Sequence, residues 1–280
     1  MEALRAPLRE LGEFSEIQDK LKSKKPVVLS LSGCVDSQKV HMIHGLGEDF
    51  PFKLILTYSE KRMQQIQEDY AFYDKQVGIY PAKDLIFFQA DVHGNKLVTE
   101  RIRMMRKLLE GEGFTLITTF DSLMTPQIPL ERILKSVISI KKGGQIDEKE
   151  LAYALVDMGY EKTYQVEQPG QFSIRGGIID VFDLTEENPF RIELWGEDVD
   201  SIRSFDVLSQ RSIENLEEVS IYPATEMILT EAERTKGVHV LELEAKKQAE
   251  VLRGQGKPEE AARIEKQIAE LREEVLEFHM

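Results

Sequence analysis

The sequence predicts an α/β domain, followed by a small α+β domain and a charged helical segment. In the first third of the chain, continuous apolar runs alternate with helix-like patterns, which is typical of a parallel sheet with crossover helices. From Tyr160 to about Tyr222, apolar and polar residues alternate between closely spaced turn signals, as they do in antiparallel strands. The rest of the chain is rich in charges with helical spacing.

Four apolar runs are the predicted strands of the parallel sheet. They are Pro26–Ser32, Phe52–Tyr58, Val77–Tyr80 and Phe114–Phe120. Each is short and is bounded by polar, glycine or proline residues, as buried strands are. Ser59 is a predicted N-cap, because its hydroxyl can accept a hydrogen bond from the first turn of the next helix.

In the α+β part, Asp147 is predicted to cap a helix that runs through Met158. Strands are predicted around it at Ser136–Lys141, Gln171–Arg175 and Asn188–Trp195. The last two helices are predicted at about Thr230–Arg253 and Pro258–Phe278, where opposite charges stand three or four residues apart.

Composition limits the possible functions. The chain has 280 residues, a net charge of -14 and a pI near 5.0, which argues against a bulk polyanion binder. Its one cysteine, Cys34, excludes an internal disulfide and fits a reducing cytoplasm. We see no signal peptide and no stretch near the ~20 apolar residues of a membrane helix, so a cytoplasmic location without membrane contact is predicted.

Gly33–Val40 stands where a phosphate-binding P-loop would be. Gly33 and Lys39 have the required separation. The other required residues are replaced: Asp36 would put a carboxylate against the phosphates, Gln38 replaces a flexible glycine, and Val40 cannot ligate magnesium. No apolar strand ending in an Asp-Glu pair complements the loop. The pattern therefore favours an inert strand-to-helix turn that binds neither ATP nor metal.

The predicted antiparallel sheet has an unusual exposed face. Alternation puts Arg175, Arg191 and Trp195 on the side opposite the apolar residues of their strands. Arginine and tryptophan dominate the energetics of many protein–protein interfaces. The alternative is that the arginines pair with local acids such as Glu193 or Asp180 and that the tryptophan caps the sheet edge. Alternation alone supports both interpretations.

Three stretches carry a family resemblance: QFSIRGGIIDVF, PFRIELWGEDVDSIRSFDVLSQRSIE and IYPATE. They resemble the N-terminal region of the bacterial transcription-repair coupling factors, the Mfd family, and the equivalent part of the excision-repair protein UvrB. YPAKDLIFFQADVHGN and TTFDSLMTPQIP resemble the Mfd version. UvrB has a working P-loop and a long aromatic β-hairpin for DNA. Here the loop is degenerate and we find no such hairpin, so the resemblance favours the coupling factors.

The resemblance implies a helicase-like α/β domain that is interrupted by an inserted α+β domain. Its first part would be residues 1–129, the inserted domain residues 130–209, and its second part residues 210–280, whose helices complete it. The inserted domain of that family binds UvrA through arginines and an aromatic residue, which fall on Arg175 and Arg191 and on Trp195. The family's aromatic residue is usually Phe, so Trp195 is a departure.

The resemblance also implies what lies outside this chain. Full-length members of the family are ATP-dependent DNA translocases that displace stalled RNA polymerase. UvrA is therefore the implied partner of this chain, whereas RNA polymerase and double-stranded DNA are implied partners of other domains. ATP and magnesium are implied only for the motor domains.

The leading hypothesis is thus a non-catalytic module that recruits UvrA. A nucleotide-dependent DNA helicase like UvrB is the alternative from the enzyme class, and ATP binding or hydrolysis would support it. A structural spacer that only holds other domains is the third possibility, and it requires no UvrA binding.

Overall fold

The computed structural model describes residues 2–23, 25–83 and 91–277. The chain forms two compact units, Met1–Glu226 and Met227–Met280. The first unit contains a parallel sheet and two antiparallel sheets, and the second consists of helices. The predicted mixture of parallel α/β and antiparallel α+β structure is confirmed. The expected helicase-like character of the first domain and its interruption stay predictions.

The first unit begins with the parallel sheet and its helices. In chain order they are α1 (Glu2–Arg9), α2 (Phe14–Leu21), α3 (Asp36–Leu46), β1 (Lys53–Thr57), α4 (Glu60–Tyr70), β2 (Val77–Tyr80), α5 (Asp91–Glu110), β3 (Thr115–Thr119), α6 (Phe120–Met124) and α7 (Leu130–Ser136). The strand order is β1-β3-β2, and both pairings are parallel. Three of the four predicted strands are therefore confirmed.

Helices cover both faces of this sheet. On one face, Met63 and Ile66 of α4 pack with Ile117 of β3 in an apolar core. On the other face, α5 lies so close to β2 that a Cβ at Gly78 would stand 2.2 Å from the Met104 sulfur. The Ser59 hydroxyl accepts a hydrogen bond from the Arg62 amide at the start of α4, as predicted.

The predicted strand Pro26–Ser32 is wrong. Residues 26–32 have no regular secondary structure, and Val28 is 99% exposed. An apolar run becomes a strand only where a neighbouring strand satisfies its backbone hydrogen bonds, and no strand in the described ranges pairs with this run. The Gly33 turn therefore lacks the strand that would precede it in a P-loop.

The antiparallel part follows. Its elements are β4 (Ile138–Lys141), α8 (Glu148–Asp157), β5 (Glu161–Lys162), β6 (Gln171–Arg175), β7 (Ile178–Val181), β8 (Phe190–Trp195), β9 (Asp198–Phe205), β10 (Ser212–Leu216) and β11 (Glu218–Ile221). Six strands form one sheet in the order β10-β9-β8-β7-β6-β5, and β11 pairs with β4. Only β5 and β6 pair in parallel. The sheet continues past residue 209, while the expected boundaries at 129/130 and 209/210 stay predictions.

One face of the six-stranded sheet is covered. Across four neighbouring strands, a row of isoleucines stands in register: Ile174, Ile179, Ile192 and Ile202. They belong to the same apolar core as Leu151 and Leu155 of α8. The helix is capped as predicted, because the Asp147 carboxylate accepts hydrogen bonds from two amides of its first turn. Since α8 takes one face, the residues that alternate with the isoleucines form the outer face.

A buried arginine of α5 ties the parallel part to the end of the antiparallel part. Arg101, 1% exposed, binds both carboxylate oxygens of Glu226. Its Nη2 also donates to the Gln127 side-chain oxygen at 2.8 Å and to the Tyr80 hydroxyl at 2.6 Å. We call Arg101, Glu226, Gln127 and Tyr80 the Arg101 clamp. One turn and a half further along α5, Arg106 makes a second link, a 2.5 Å ion pair with Glu186.

The second unit is a pair of packed helices, α9 (Glu231–Gly254) and α10 (Pro258–Glu277). Thr230 and Glu233 form a capping box at the start of α9. Ala249, Leu252, Ala261 and Ile264 pack together between the helices. Both predicted helices are confirmed. Among the described helices of the whole chain, none combines the length and the apolar character needed to cross a membrane.

Candidate protein-binding site

The outer face of the six-stranded sheet carries a row of polar side chains in register. Ser173, Asp180, Arg191 and Arg203 stand opposite one another on β6, β7, β8 and β9. They alternate with the isoleucines of the core, so they point away from α8. Arg175 lies two residues beyond Ser173 on this same face. The predicted arginines therefore lie on the face opposite the isoleucines, but most of this row is not exposed, because Ser173 and Asp180 are buried.

Asp180 holds both predicted arginines. Its side chain is 1% exposed. Arg191 approaches it with two nitrogens, at 2.7 and 2.8 Å, in the bidentate geometry that suits a guanidinium. Arg175 donates to one of the same carboxylate oxygens at 3.1 Å. Two cations thus share one buried anion.

Arg191 is the more deeply held of the two arginines. Its side chain is 14% exposed, it also donates to the Gln210 side-chain oxygen at 2.9 Å, and its guanidinium lies 4.3 Å from the centre of the Phe205 ring. Hydrogen bonding to Asp180 raises the pKa of Arg191 above its ordinary value, despite partial burial. This arginine can fix its neighbours but offers little surface of its own.

Arg175 and Trp195 provide the accessible part of the face. The Arg175 side chain is 35% exposed, and its guanidinium lies 5.5 Å from the centre of the Tyr164 ring. Trp195 is 84% exposed at the last position of β8, just before the Gly196 turn. β8 pairs with β7, and β7 with β6, so Arg175 and Trp195 lie near the same end of the sheet.

The three predicted residues are thus brought to one face, and both sequence interpretations describe part of it. The arginines pair with a local acid, which is Asp180. The other suggested acid, Glu193, pairs instead with Arg203. Trp195 remains exposed. Pairing does not remove the face, because Arg175 keeps a solvent-accessible edge.

The degenerate phosphate loop lies in the other half of the first unit. Gly33 has a φ of +83°, which suits glycine, and α3 begins at Asp36. The Asp36 carboxylate is 3.0 Å from the Lys39 ammonium and 3.2 Å from the Arg62 guanidinium. The hydrogen bond from Lys39 holds the pKa of Asp36 below its ordinary value, and the charge of Arg62 adds to this effect. The loop's own acid therefore pairs with Lys39 of the loop and with Arg62 of α4.

The remaining two residues of the loop do not face a ligand site. Val40, in the magnesium-ligand position, is 1% exposed and packs in the core of the parallel sheet. Gln38, which replaces the flexible glycine, is an ordinary helical residue in the first turn of α3.

Sequence reasoning missed two contributors to the outer face. Tyr164 is 84% exposed beside Arg175, and Gln210 holds Arg191 from a backbone with a φ of +57°. Tyr164 belongs to none of the individually predicted strands, and Gln210 is neither glycine nor asparagine, so no local pattern singled them out. Only the folded sheet brings them to the arginines.

Comparisons with known proteins bear on this face. Residues 138–227 match the UvrB interaction domain family, and this range contains all six strands of the sheet. The chain is 35% identical to the transcription-repair-coupling factor of Bacillus subtilis strain 168 over 209 residues, which is 71% of this chain and 18% of the relative. It is 32% identical to the transcription-repair-coupling factor of Staphylococcus aureus strain MRSA252 over 234 residues, 82% of this chain and 20% of the relative. The aligned regions therefore span less than a quarter of these curated relatives.

Proposed function

We propose that this chain recruits UvrA, because residues 138–227 are a UvrB interaction domain and the chain is homologous to transcription-repair coupling factors. The observation that carries the proposal is an exposed Trp195 and a half-buried Arg175 near the same end of the outer face of that domain. Tryptophan and arginine are among the residue types most enriched in interface hot spots. The biological process would be nucleotide excision repair in the cytoplasm.

The roles of the three residues differ in this proposal. Arg175 and Trp195 contact UvrA directly. Arg191 is a positioning residue, because its guanidinium is occupied by Asp180 and Gln210. In the longer proteins of the family, an ATP-dependent DNA translocase activity and contacts with RNA polymerase and double-stranded DNA would belong to other domains.

Calorimetric titration of UvrA tests the proposal. We expect Arg175→Ala to weaken binding about tenfold or more, as loss of a charged hot-spot residue does. Arg191→Ala should also weaken binding, because it frees Asp180 to reorganise. Unchanged affinity in both variants would contradict the site assignment. A wild-type chain that does not bind UvrA at all would instead support the spacer hypothesis.

The chain itself is proposed to be non-catalytic. The support is the Asp36 carboxylate, which sits against Lys39 where a P-loop lysine would meet phosphate. Incubation with labelled ATP and magnesium tests this. If the chain binds ATP at micromolar concentration and Lys39→Ala abolishes this binding, the alternative of a nucleotide-dependent DNA helicase like UvrB is supported.

A further inference from the structure

Tyr164 is an exposed aromatic side chain on a well-fixed backbone. The residue is 84% exposed just after β5, at one edge of the six-stranded sheet. The hydroxyl of Ser173 donates to the Tyr164 carbonyl at 3.1 Å, and the preceding amide, of Thr163, donates to Phe172 at 2.8 Å. The ring is therefore presented to solvent from a position that hydrogen bonds hold to β6.

The ring lies against the accessible arginine of the outer face. The Arg175 guanidinium is 5.5 Å from the Tyr164 ring centre, within the range of a cation–π contact. Its Nη2 donates to Asp180 on the neighbouring strand. Arg175 is thus held between an aromatic ring and a carboxylate, and its remaining edge faces solvent.

The charges on the face leave Arg175 without a full anion of its own. Asp180 carries one negative charge and is shared with Arg191, which binds it through two hydrogen bonds. Glu193, which lies two residues after Arg191 on the same face of β8, pairs with Arg203. Among these five side chains one positive charge is in excess, and it is most accessible at Arg175; Asp198, a further acid opposite Trp195, accepts a hydrogen bond from Gln145. A partner carboxylate would complement Arg175.

Strand order sets the geometry of the face. Tyr164 follows β5, Arg175 lies on β6, and Trp195 ends β8, with β7 between β6 and β8. In the strand order, Arg175 therefore stands between the two exposed rings, next to Tyr164 and two strands away from Trp195. Two large rings on either side of a cation can exclude water from it when a partner docks, and exclusion of water strengthens an ion pair.

We infer that Tyr164 is a second aromatic anchor of the partner-binding face, and that the partner presents a carboxylate to Arg175 between Tyr164 and Trp195. This inference rests on the proposed function, since UvrA is the partner used to test it. It adds a residue that the predicted set of Arg175, Arg191 and Trp195 lacks, and it states the chemistry of the group that meets the arginine.

The chain offers a matched control for Tyr164. Tyr153 is also a highly exposed tyrosine, 71% accessible, in the same domain. It lies on α8, which covers the opposite face of the sheet. Loss of its ring should leave partner binding unchanged, although it removes a similar exposed surface.

The experiment is calorimetric titration of UvrA into the wild type and the variants Tyr164→Ala, Tyr164→Phe and Tyr153→Ala. We expect about a tenfold weaker affinity for Tyr164→Ala, less than a threefold change for Tyr164→Phe, and none for Tyr153→Ala. Tyr164→Glu should weaken binding more than Tyr164→Ala, because its carboxylate would pair with Arg175 from within the chain. Thermal unfolding of each variant checks that it is folded.

The outcomes separate this inference from the proposed function. A wild-type chain without affinity for UvrA overturns both. If the wild type binds and Tyr164→Ala behaves like Tyr153→Ala, only the second anchor is wrong. If Tyr164→Glu binds as tightly as the wild type, the partner carboxylate is wrong. Salt weakens an ion pair between Arg175 and the partner carboxylate. The affinity of the wild type for UvrA should therefore fall more steeply than that of Arg175→Ala as NaCl rises from about 0.05 to about 0.5 M. Equal slopes would count against this ion pair.

Discussion

The degenerate phosphate loop and the outer face of the antiparallel sheet contain the same charge arrangement in different surroundings. In the loop, Asp36 lies between Lys39 and Arg62. On the sheet, Asp180 lies between Arg175 and Arg191. The Asp36 side chain is 63% exposed, whereas the Asp180 side chain is 1% exposed.

The difference teaches that burial of the anion decides what such a cluster can do. An exposed carboxylate exchanges easily with water and ions, so its cluster neutralises charge without fixing geometry. A buried carboxylate has no water to replace its partners, so it holds both guanidiniums in place. Only the second cluster is suited to present an arginine to a protein partner.

The Arg101 clamp adds a third such cluster, with a carboxylate of nearly the same burial as Asp180. Glu226, 5% exposed at its side chain, pairs with Arg101 and with Lys83 at 2.9 Å. Burial works to raise the pKa of Glu226, but the hydrogen bonds and charges of Arg101 and Lys83 outweigh it and the pKa lies below its ordinary value. The three clusters therefore allow the exposure of the carboxylate to be compared with the change in stability or binding when it is altered.

The largest expected effect is that of Asp180→Asn. This change keeps the shape of the side chain but leaves two arginines facing a neutral amide, so we expect the free energy of unfolding to fall by about 3 kcal/mol. Urea denaturation followed by circular dichroism measures it. A loss no larger than that of Asp36→Asn would remove the contrast between the two clusters.

Glu226→Gln should cost less, about 2 kcal/mol at neutral pH, because the amide keeps part of the hydrogen bonding to Arg101. The lowered pKa of Glu226 gives the sign of its pH dependence. Its stabilisation is complete above the ordinary value of 4.5 and is lost as the pH falls through the lower folded-state value. The stability gap between wild type and variant should therefore narrow below about pH 4.5. A difference in stability between the wild type and Glu226→Gln that grows as the pH falls would contradict this prediction.

Trp195→Ala tests the exposed part of the outer face, at the end of the sheet that also carries Arg175. We expect affinity for UvrA to fall about tenfold, with stability unchanged because the ring is exposed. Trp195→Phe, which keeps an aromatic ring at this position, should stay within about threefold of the wild type. Calorimetry and thermal unfolding measure the two quantities. A variant that loses stability but not affinity would mean that the ring only covers the sheet edge.

The smallest expected effect is that of Asp36→Ala. Because Asp36 is exposed, its removal should leave the midpoint of urea denaturation unchanged within error. The same variant should still fail to bind ATP, since Gln38 and Val40 remain. Tight ATP binding by Asp36→Ala would mean that this one carboxylate blocks an otherwise complete site.

Much of the sheet face could be predicted from the sequence, because its evidence is local. Alternation along β6 and β8 places Arg175, Arg191 and Trp195 opposite the apolar residues of their own strands, although only the sheet order, with β7 between the two strands, puts them on one surface. The capping residues Ser59 and Asp147 were also predictable, since each acts within one helical turn.

The other features of the fold and of the site depend on contacts between distant parts of the chain. The apolar run Pro26–Ser32 has the composition of a strand, but composition does not supply a partner strand. The sharing of Asp180 by two arginines depends on the register of three strands. Arg101 and Glu226 bind each other although they are 125 positions apart in the sequence, and neither lies in a sequence motif that predicts the other.

The Arg101 clamp has a consequence for how this domain can be combined with others. Arg101 binds Gln127, just before the matched domain begins at residue 138, and Glu226, one residue before it ends at 227. One side chain therefore links a residue on the N-terminal side of the matched domain to a residue at its C-terminal end. The predicted insertion of this domain into the α/β domain would need such a link, because an inserted segment enters and leaves its host at neighbouring positions.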